Sequence, residues 1–168
     1  MSAHSVPAPA PLPCPAVVRL HCAGPLEAAV VAALQRACFP EDPWDDASVA
    51  TLTAPPTGFA VIALDGQEQP VGFAMARVTA EDAEILAIGV LPQARRGGIG
   101  RRLVEAVADG SRGRGATALF LEVAEDNQEA WTLYKVCGFF SVGRRPGYYR
   151  RRDGRVAALV LRRNLDGA

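Results

Sequence analysis

Lysine is almost missing from this chain. The one lysine is Lys135, and the other seventeen of its eighteen basic residues are arginine. A Walker phosphate loop, which needs Gly-Lys-Ser or Gly-Lys-Thr at a glycine-rich turn, is thereby excluded. Histidine occurs twice, and the four cysteines (Cys14, Cys22, Cys38, Cys137) form no C-x-x-C pair. Neither a zinc site nor a disulfide framework is expected, no metal is called for, and a reducing cytoplasm fits best. No stretch approaches the roughly 20 apolar residues of a membrane span. The N-terminus lacks the basic start and unbroken apolar run of a signal peptide. A cytoplasmic location without membrane contact is therefore expected. Asp109-Gly110-Ser111-Arg112-Gly113 is not a G-x-S-x-G nucleophile elbow, because Asp109 holds the first glycine position, and no serine triad is found.

What is present is the composition of an ordinary globule: 168 residues, 49% hydrophobic and 21% charged. That length suits one domain with a real core. The net charge of zero conceals an asymmetry. Residues 1–94 carry ten acids and three arginines, a balance of −7, whereas residues 95–168 carry eight acids and fifteen bases, a balance of +7. Such a split fits a basic half facing an anion and an acidic half facing something neutral or cationic. It equally fits two solvated faces that neutralise each other.

Prolines at 7, 9, 11, 13 and 15 forbid helix or inner strand, so residues 1–15 read as an extended, mobile arm. A domain over 16–165 follows. Ala16–Leu20 reads as a strand and Leu26–Cys38 as a helix with Leu26, Val30, Ala33 and Leu34 on one face. A second short helix is capped by Asp45 or Asp46 and ends before Pro55-Pro56. Phe59–Leu64 and Val71–Val78 form a hairpin across the turn-rich 65–70, and Ala83–Val90 is a third antiparallel strand. A helix begins near Ile99, and Gly110–Gly115 reads as a loop. Thr117–Val123 is a buried strand carrying one acid, and Asn127 caps a helix over Gln128–Cys137 that stops at Gly138. Phe139–Gly143 and Val156–Leu161 are the last strands, with Arg144–Arg155 a solvated basic loop between them. The order is strand, two helices, three strands, helix, strand, helix, two strands. It predicts an α/β fold in one domain, a mixed sheet with helices on both faces.

The chain is organised around Arg95-Arg96-Gly97-Gly98-Ile99-Gly100, between the apolar run Ile85–Pro92 and the helix whose Ile99, Leu103, Val104 and Val107 share a face. The first four N–H groups of a helix lack internal partners, and the macrodipole adds about half a positive charge there. Glycines let that backbone approach a bulky anion, so the stretch reads as a phosphate cradle. The glycines at 97, 98 and 100 do not match the dinucleotide spacing G-x-G-x-x-G. They leave Arg/Gln-x-x-Gly-x-Gly, filled by Arg95, Gly98 and Gly100, or an ordinary glycine-rich turn.

That pattern resembles the pyrophosphate loop of the GNAT superfamily of N-acetyltransferases, which bind acetyl-coenzyme A. The second half carries a further match: Leu121-Glu122-Val123, then Asn127-x-x-Ala130-x-x-Leu133-Tyr134, then Gly138-Phe139, then Arg145 and Tyr148-Tyr149. These look like the RimI branch, bacterial N-terminal acetyltransferases acting on a ribosomal protein. Ile88-Gly89-Val90 and Phe39–Trp44 resemble the same branch, and the likeness covers about residues 16–163. The chain departs from the branch at Ala94, where an aromatic is usual, at Leu91, where an acid is usual, and at Ala124, where an arginine is usual. These departures bear on the acceptor rather than on the cofactor site.

The resemblance implies acetyl transfer from acetyl-coenzyme A, as cosubstrate, to an amine. It implies a cofactor site at Ile88, Gly89, Val90, Arg95, Arg96, Gly97, Gly98, Ile99, Gly100 and Asn127. Amide formation needs a neutral amine, a stabilised oxyanion and a protonated leaving thiol. At pH 7 an α-amine costs about 1.4 kcal/mol to deprotonate and a lysine roughly 4.6 kcal/mol. Glu122, the one acid in its strand, is the candidate base, or else a glutamate paired with an arginine at the strand end. Tyr134, protonated at neutral pH, is the candidate acid for the thiolate, or else core packing. A backbone N–H near Ile88-Gly89-Val90 is the candidate oxyanion donor, reached where the fourth and fifth strands part. Gly89 suits a bulge or a close backbone approach. Trp44, Tyr148 and Tyr149 either line the acceptor groove or pack the core rim. The expected partner is a protein or peptide N-terminus, a small-subunit ribosomal protein among them. A small-molecule amine acetyltransferase on the same fold is the alternative, and a non-catalytic coenzyme A binding module a further one. Nothing points to DNA.

Overall fold

A computed structural model describes residues 18–166. The proline-rich arm at 1–15 and the start of the predicted first strand, at 16 and 17, lie outside the described residues. Seven strands form one mixed sheet in the order β1-β2-β3-β4-β5-β7-β6. They are β1 (Arg19–Cys22), β2 (Gly58–Leu64), β3 (Pro70–Thr79), β4 (Asp82–Val90), β5 (Ala118–Ala124), β6 (Phe140–Arg151) and β7 (Gly154–Asn164). Helices α1 (Ala28–Cys38) and α2 (Asp46–Leu52) cover one face, and α3 (Ile99–Arg112) and α4 (Gln128–Val136) the other. The predicted order of elements and the mixed sheet with helices on both faces are present.

Alternation divides the core. Val61 and Ala63 of β2 and Ala74 and Ala76 of β3 join Ile99, Leu103, Val104 and Val107 of α3. Ala60, Ile62, Phe73 and Met75 join Val31, Ala32 and Leu34 of α1 and Val49 of α2. Both sets are buried because successive strand side chains point to opposite faces. Burying each α3 anchor contributes about 1.5–3 kcal/mol.

Three local readings are corrected. The buried face of α1 carries Val31, Ala32, Leu34 and Gln35, whereas Leu26 is 97% exposed and Ala33 is exposed. Ala28–Leu34 is apolar on every side, so periodicity did not single out the face that packs. Gly110 is inside α3, not in a loop. A Cβ there would lie 3.0 Å from Cε2 of Phe59, so the missing side chain admits that ring, and this packing outweighs glycine's cost of about 1 kcal/mol in a helix. The basic loop at 144–155 is the tip of a long hairpin. β6 and β7 pair through Arg151↔Gly154, leaving Arg152-Asp153 as a two-residue turn. Pro146 and Gly147 (φ +58°) do not end β6 but bulge out between Arg145↔Ala158 and Tyr149↔Val156. An edge strand tolerates both proline and charge.

Candidate active site

Among the described residues the one parallel pairing is β4 with β5, and it is short: Asp82↔Ala118, Ala83↔Leu119 and Glu84↔Phe120. Beyond Glu84 and Phe120 the strands part. Ile88, Gly89 and Val90 lie on one lip of the gap and Glu122 on the other. Leu91 N–H donates to the Val71 carbonyl at 2.9 Å, which sets the phase of the β3–β4 ladder. Gly89 is therefore the residue bonded to Phe73, while the backbone groups of Ile88 and Val90 point away from β3 toward the gap. Consistent with this, the Val90 carbonyl accepts from Arg95 Nε at 3.0 Å.

Gly89 serves close approach rather than a bulge, since the ladder's irregularity falls between Met75 and Ala76, away from it. A Cβ on Gly89 would stand 2.8 Å from Cβ of Cys38 and 2.9 Å from both Sγ of Cys38 and Cε1 of Phe73. The end of α1 thus rests directly on the lip.

The glycine-rich turn closes the same end of β4. Arg96 and Gly98 both take positive φ (+68° and +75°), and Gly98 is the N-cap of α3 with no side-chain cap. The N–H groups of Ile99, Gly100 and Arg101, in the first turn of α3, have no partner within the helix. The first bond into the helix is Arg102 N–H to the Gly98 carbonyl, 3.2 Å. Successive unpartnered donors at a positive helix end, beside a glycine-rich turn, fit a polyanion such as a pyrophosphate. Gly100 lets α4 come close, a Cβ there being 3.1 Å from Cδ2 of Leu133.

Asn127 caps α4, its Oδ1 accepting from Ala130 N–H at 3.1 Å. Tyr134, about two turns further on, is buried in the α3–α4 core and meets Phe139 edge to face at 5.7 Å. Burial, then the neighbouring Tyr149 and Cys137, push its phenol well above the usual tyrosine range, so it stays protonated. Glu122 is paired: its Oε1 is 2.6 Å from Arg145 Nε, and its side chain is 19% exposed. The charge of Glu122, and a hydrogen bond to it, raise the Tyr148 phenol. Tyr148 and Tyr149 stack edge to face at 5.1 Å on the bulge of β6.

Gln35 was not among the residues singled out by sequence. It is 2% exposed, donates from Nε2 to the Asp42 carbonyl and accepts at Oε1 from Trp44 N–H, both at 2.8 Å. One amide thus ties down the α1–α2 turn beside the gap. The sole sequence signal was a polar residue inside an apolar helix. Arg36 Nη1 adds a bond to the Trp44 carbonyl at 3.2 Å and an ion pair with Asp46 at 2.7 Å. Asp45, not Asp46, caps α2, accepting from Ser48 N–H. Among the described residues no helix is long and apolar enough to cross a membrane.

A half-split mixed sheet with a donor-rich turn at the end of β4 defines a class, and the comparisons agree with it. The family model described as the acetyltransferase (GNAT) family matches residues 28–139, and the chain belongs to that family. It is similar to the [ribosomal protein bS18]-alanine N-acetyltransferase of Escherichia coli strain K12, 37% identical over 89 residues, covering 53% of this chain and 60% of that one. It is similar also to the N-alpha-acetyltransferase RimI of Mycobacterium tuberculosis, 38% identical over 114 residues, covering 66% and 70%. The chain thus spans about six-tenths of the length of the E. coli relative it matches. The crystal structure of the E. coli ribosomal-protein-alanine N-acetyltransferase superposes with a TM-score of 0.81 at 24% identity, covering 90% of this chain and 96% of that one. Arabidopsis thaliana NAA60 in complex with acetyl-CoA superposes at 0.77 with 19% identity, covering 90% and 100%. These two likenesses are of fold.

Proposed function

We propose that this protein is an acetyl-CoA-dependent N-acetyltransferase whose acceptor is the N-terminal α-amine of a protein, a ribosomal protein like bS18 being the first to test. One observation carries the reading. The gap beyond Glu84↔Phe120 has the N–H groups of Ile88 and Val90 turned toward it on one lip, the Glu122 carboxylate on the other, and the unpartnered N–H groups of the first turn of α3 at its end. The names of the relatives supply the acceptor class.

Acetyl-CoA, when bound, supplies an acetyl thioester open to attack by an amine. The N–H groups of Arg96–Arg101 would hold its pyrophosphate, with Arg95 and Arg96 adding charge, and Asn127 would meet the cofactor besides capping α4. Outward N–H groups at Ile88 and Val90 offer donors to the acetyl oxygen, worth the more because they are fixed in place. Glu122 takes the proton from the acceptor nitrogen, and Tyr134 donates one to the departing sulfur. An α-amine, already about one-tenth neutral at pH 7, asks less of that base than a lysine does.

The test offers acetyl-CoA with a short peptide copied from the N-terminus of the matching ribosomal protein, or with a panel of small amines, and follows thiol release. Acetylation of the peptide α-amine is expected, with Glu122→Gln lowering kcat about 10²- to 10⁴-fold. Turnover on small amines alone would overturn the acceptor class.

A further inference from the structure

The basic edge strand does more than face solvent. Three of its arginines reach the acids of β5 and of the turn after it. Arg144 grips Glu125 through two bonds of 3.0 and 2.8 Å, and Arg151 grips Asp126 through two of 3.0 Å. Both pairs are exposed, and they staple the hairpin to the turn that leads into α4. The third pair differs in kind. Arg145 Nε stands 2.6 Å from Glu122 Oε1, and Glu122 is the least exposed of the three acids. It is also the one carboxylate of β5, in the part of that strand that has lost β4 as a neighbour.

We propose that Arg145 is a positioning residue for Glu122. A glutamate has three side-chain torsions to fix, and a carboxylate at an open gap has no strand neighbour on that side to fix them. The guanidinium anchors one oxygen and leaves the carboxylate waiting in one orientation. The bulge at Pro146-Gly147 puts Arg145 there, and the same bulge brings Tyr148, whose ring lies 5.7 Å from the Arg145 guanidinium and whose phenol is raised first by the charge of Glu122. The Arg144 and Arg151 pairs on either side of the bulge hold the strand against the turn. Tyr149, and through Tyr148 also Glu84, complete the charged and titratable groups around the carboxylate.

The inference rests on Glu122 acting as the base, and a double-mutant cycle on the full chain separates the two. With acetyl-CoA and an alanine-starting peptide, Arg145→Gln is expected to lower kcat about 10- to 100-fold while the peptide KM stays within threefold, since a misplaced group costs rate on this scale. Arg145→Lys should recover part of the loss. In a Glu122→Gln background, Arg145→Gln should slow the reaction no further, because a residue that acts through Glu122 has nothing left to position. If Arg145→Gln slows that background by its full wild-type factor, or acts through KM alone, the positioning role is overturned and the base survives. If Glu122→Gln turns over like wild type, the base assignment falls and this inference with it. The Arg145 side chain is 59% exposed, so the variants retain the fold, as melting curves would verify.

Discussion

Glu84 and Phe120 are the last residues at which β4 and β5 run side by side. Four residues further along β4 is Ile88, and two further along β5 is Glu122, facing across a gap that no strand fills. Each neighbouring ladder remains intact: β4 stays bonded to β3 as far as Val90, and β5 to β7 as far as Ala124. The opening is thus held by strands that are each secured on one side, which is how a sheet exposes backbone donors without unravelling.

Gly89 bears directly on that lip. Gly89→Ala would put a methyl within 2.9 Å of Cys38 and Phe73, so α1 or β4 must shift. The expected cost is about 1–3 kcal/mol, read as a fall in Tm of roughly 2–4 °C per kcal/mol. Gly66→Ala, with nothing within 4 Å, should stay within about 0.5 kcal/mol and serves as the control.

Gln35 makes a second prediction. Gln35→Leu leaves the Asp42 carbonyl and the Trp44 N–H without their partner. Each orphaned group costs about 1–3 kcal/mol if it stays buried. Urea unfolding should show the loss, and the acceptor KM should rise with it because the α1–α2 turn borders the gap. Gln35→Glu would bury a charge and turn a carboxylate oxygen toward the Asp42 carbonyl, so it should lose at least as much.

Alkaline stability follows from Tyr134. Its phenol is raised above the ordinary value of 10.0, first by burial, so its protonated form is favoured in the folded state. That contribution is complete below about pH 10 and is lost as pH rises through the folded value, because the unfolded chain ionises first. Wild-type protein should lose stability more steeply than Tyr134→Phe between pH 9 and 11 in thermal melts.

At the acid end the signs reverse. Hydrogen bonds from Arg144 and Arg151 hold Glu125 and Asp126 below their ordinary values of 4.5 and 3.8. Their contribution is present above those values and is lost as pH falls further. Both pairs are exposed, so the effect is small. Melts compared at pH 7 and pH 3 should show a shallower fall in the Glu125→Gln, Asp126→Asn double variant than in wild type.

Local chemistry alone was enough to place most of this protein. The apolar runs at 59–64 and 71–78 on either side of a turn-rich stretch, the caps at Asp45 and Asn127, and the glycine turn at 97–100 act over a few residues, and each forms where those residues require it. The order of elements and the candidate residues of the turn could be read for the same reason. Tertiary packing decided the rest. Which side of α1 is buried depends on the sheet beneath it, since an evenly apolar helix carries no preferred face. Gly110 is helical because Phe59, 51 residues away, needs the space. Arg144–Arg151 is strand rather than loop because β7 pairs with it and because Glu122, Glu125 and Asp126 receive its arginines. Arg145 acts on a group that only the folded sheet brings within reach, and no spacing in the chain announces its contact with Glu122.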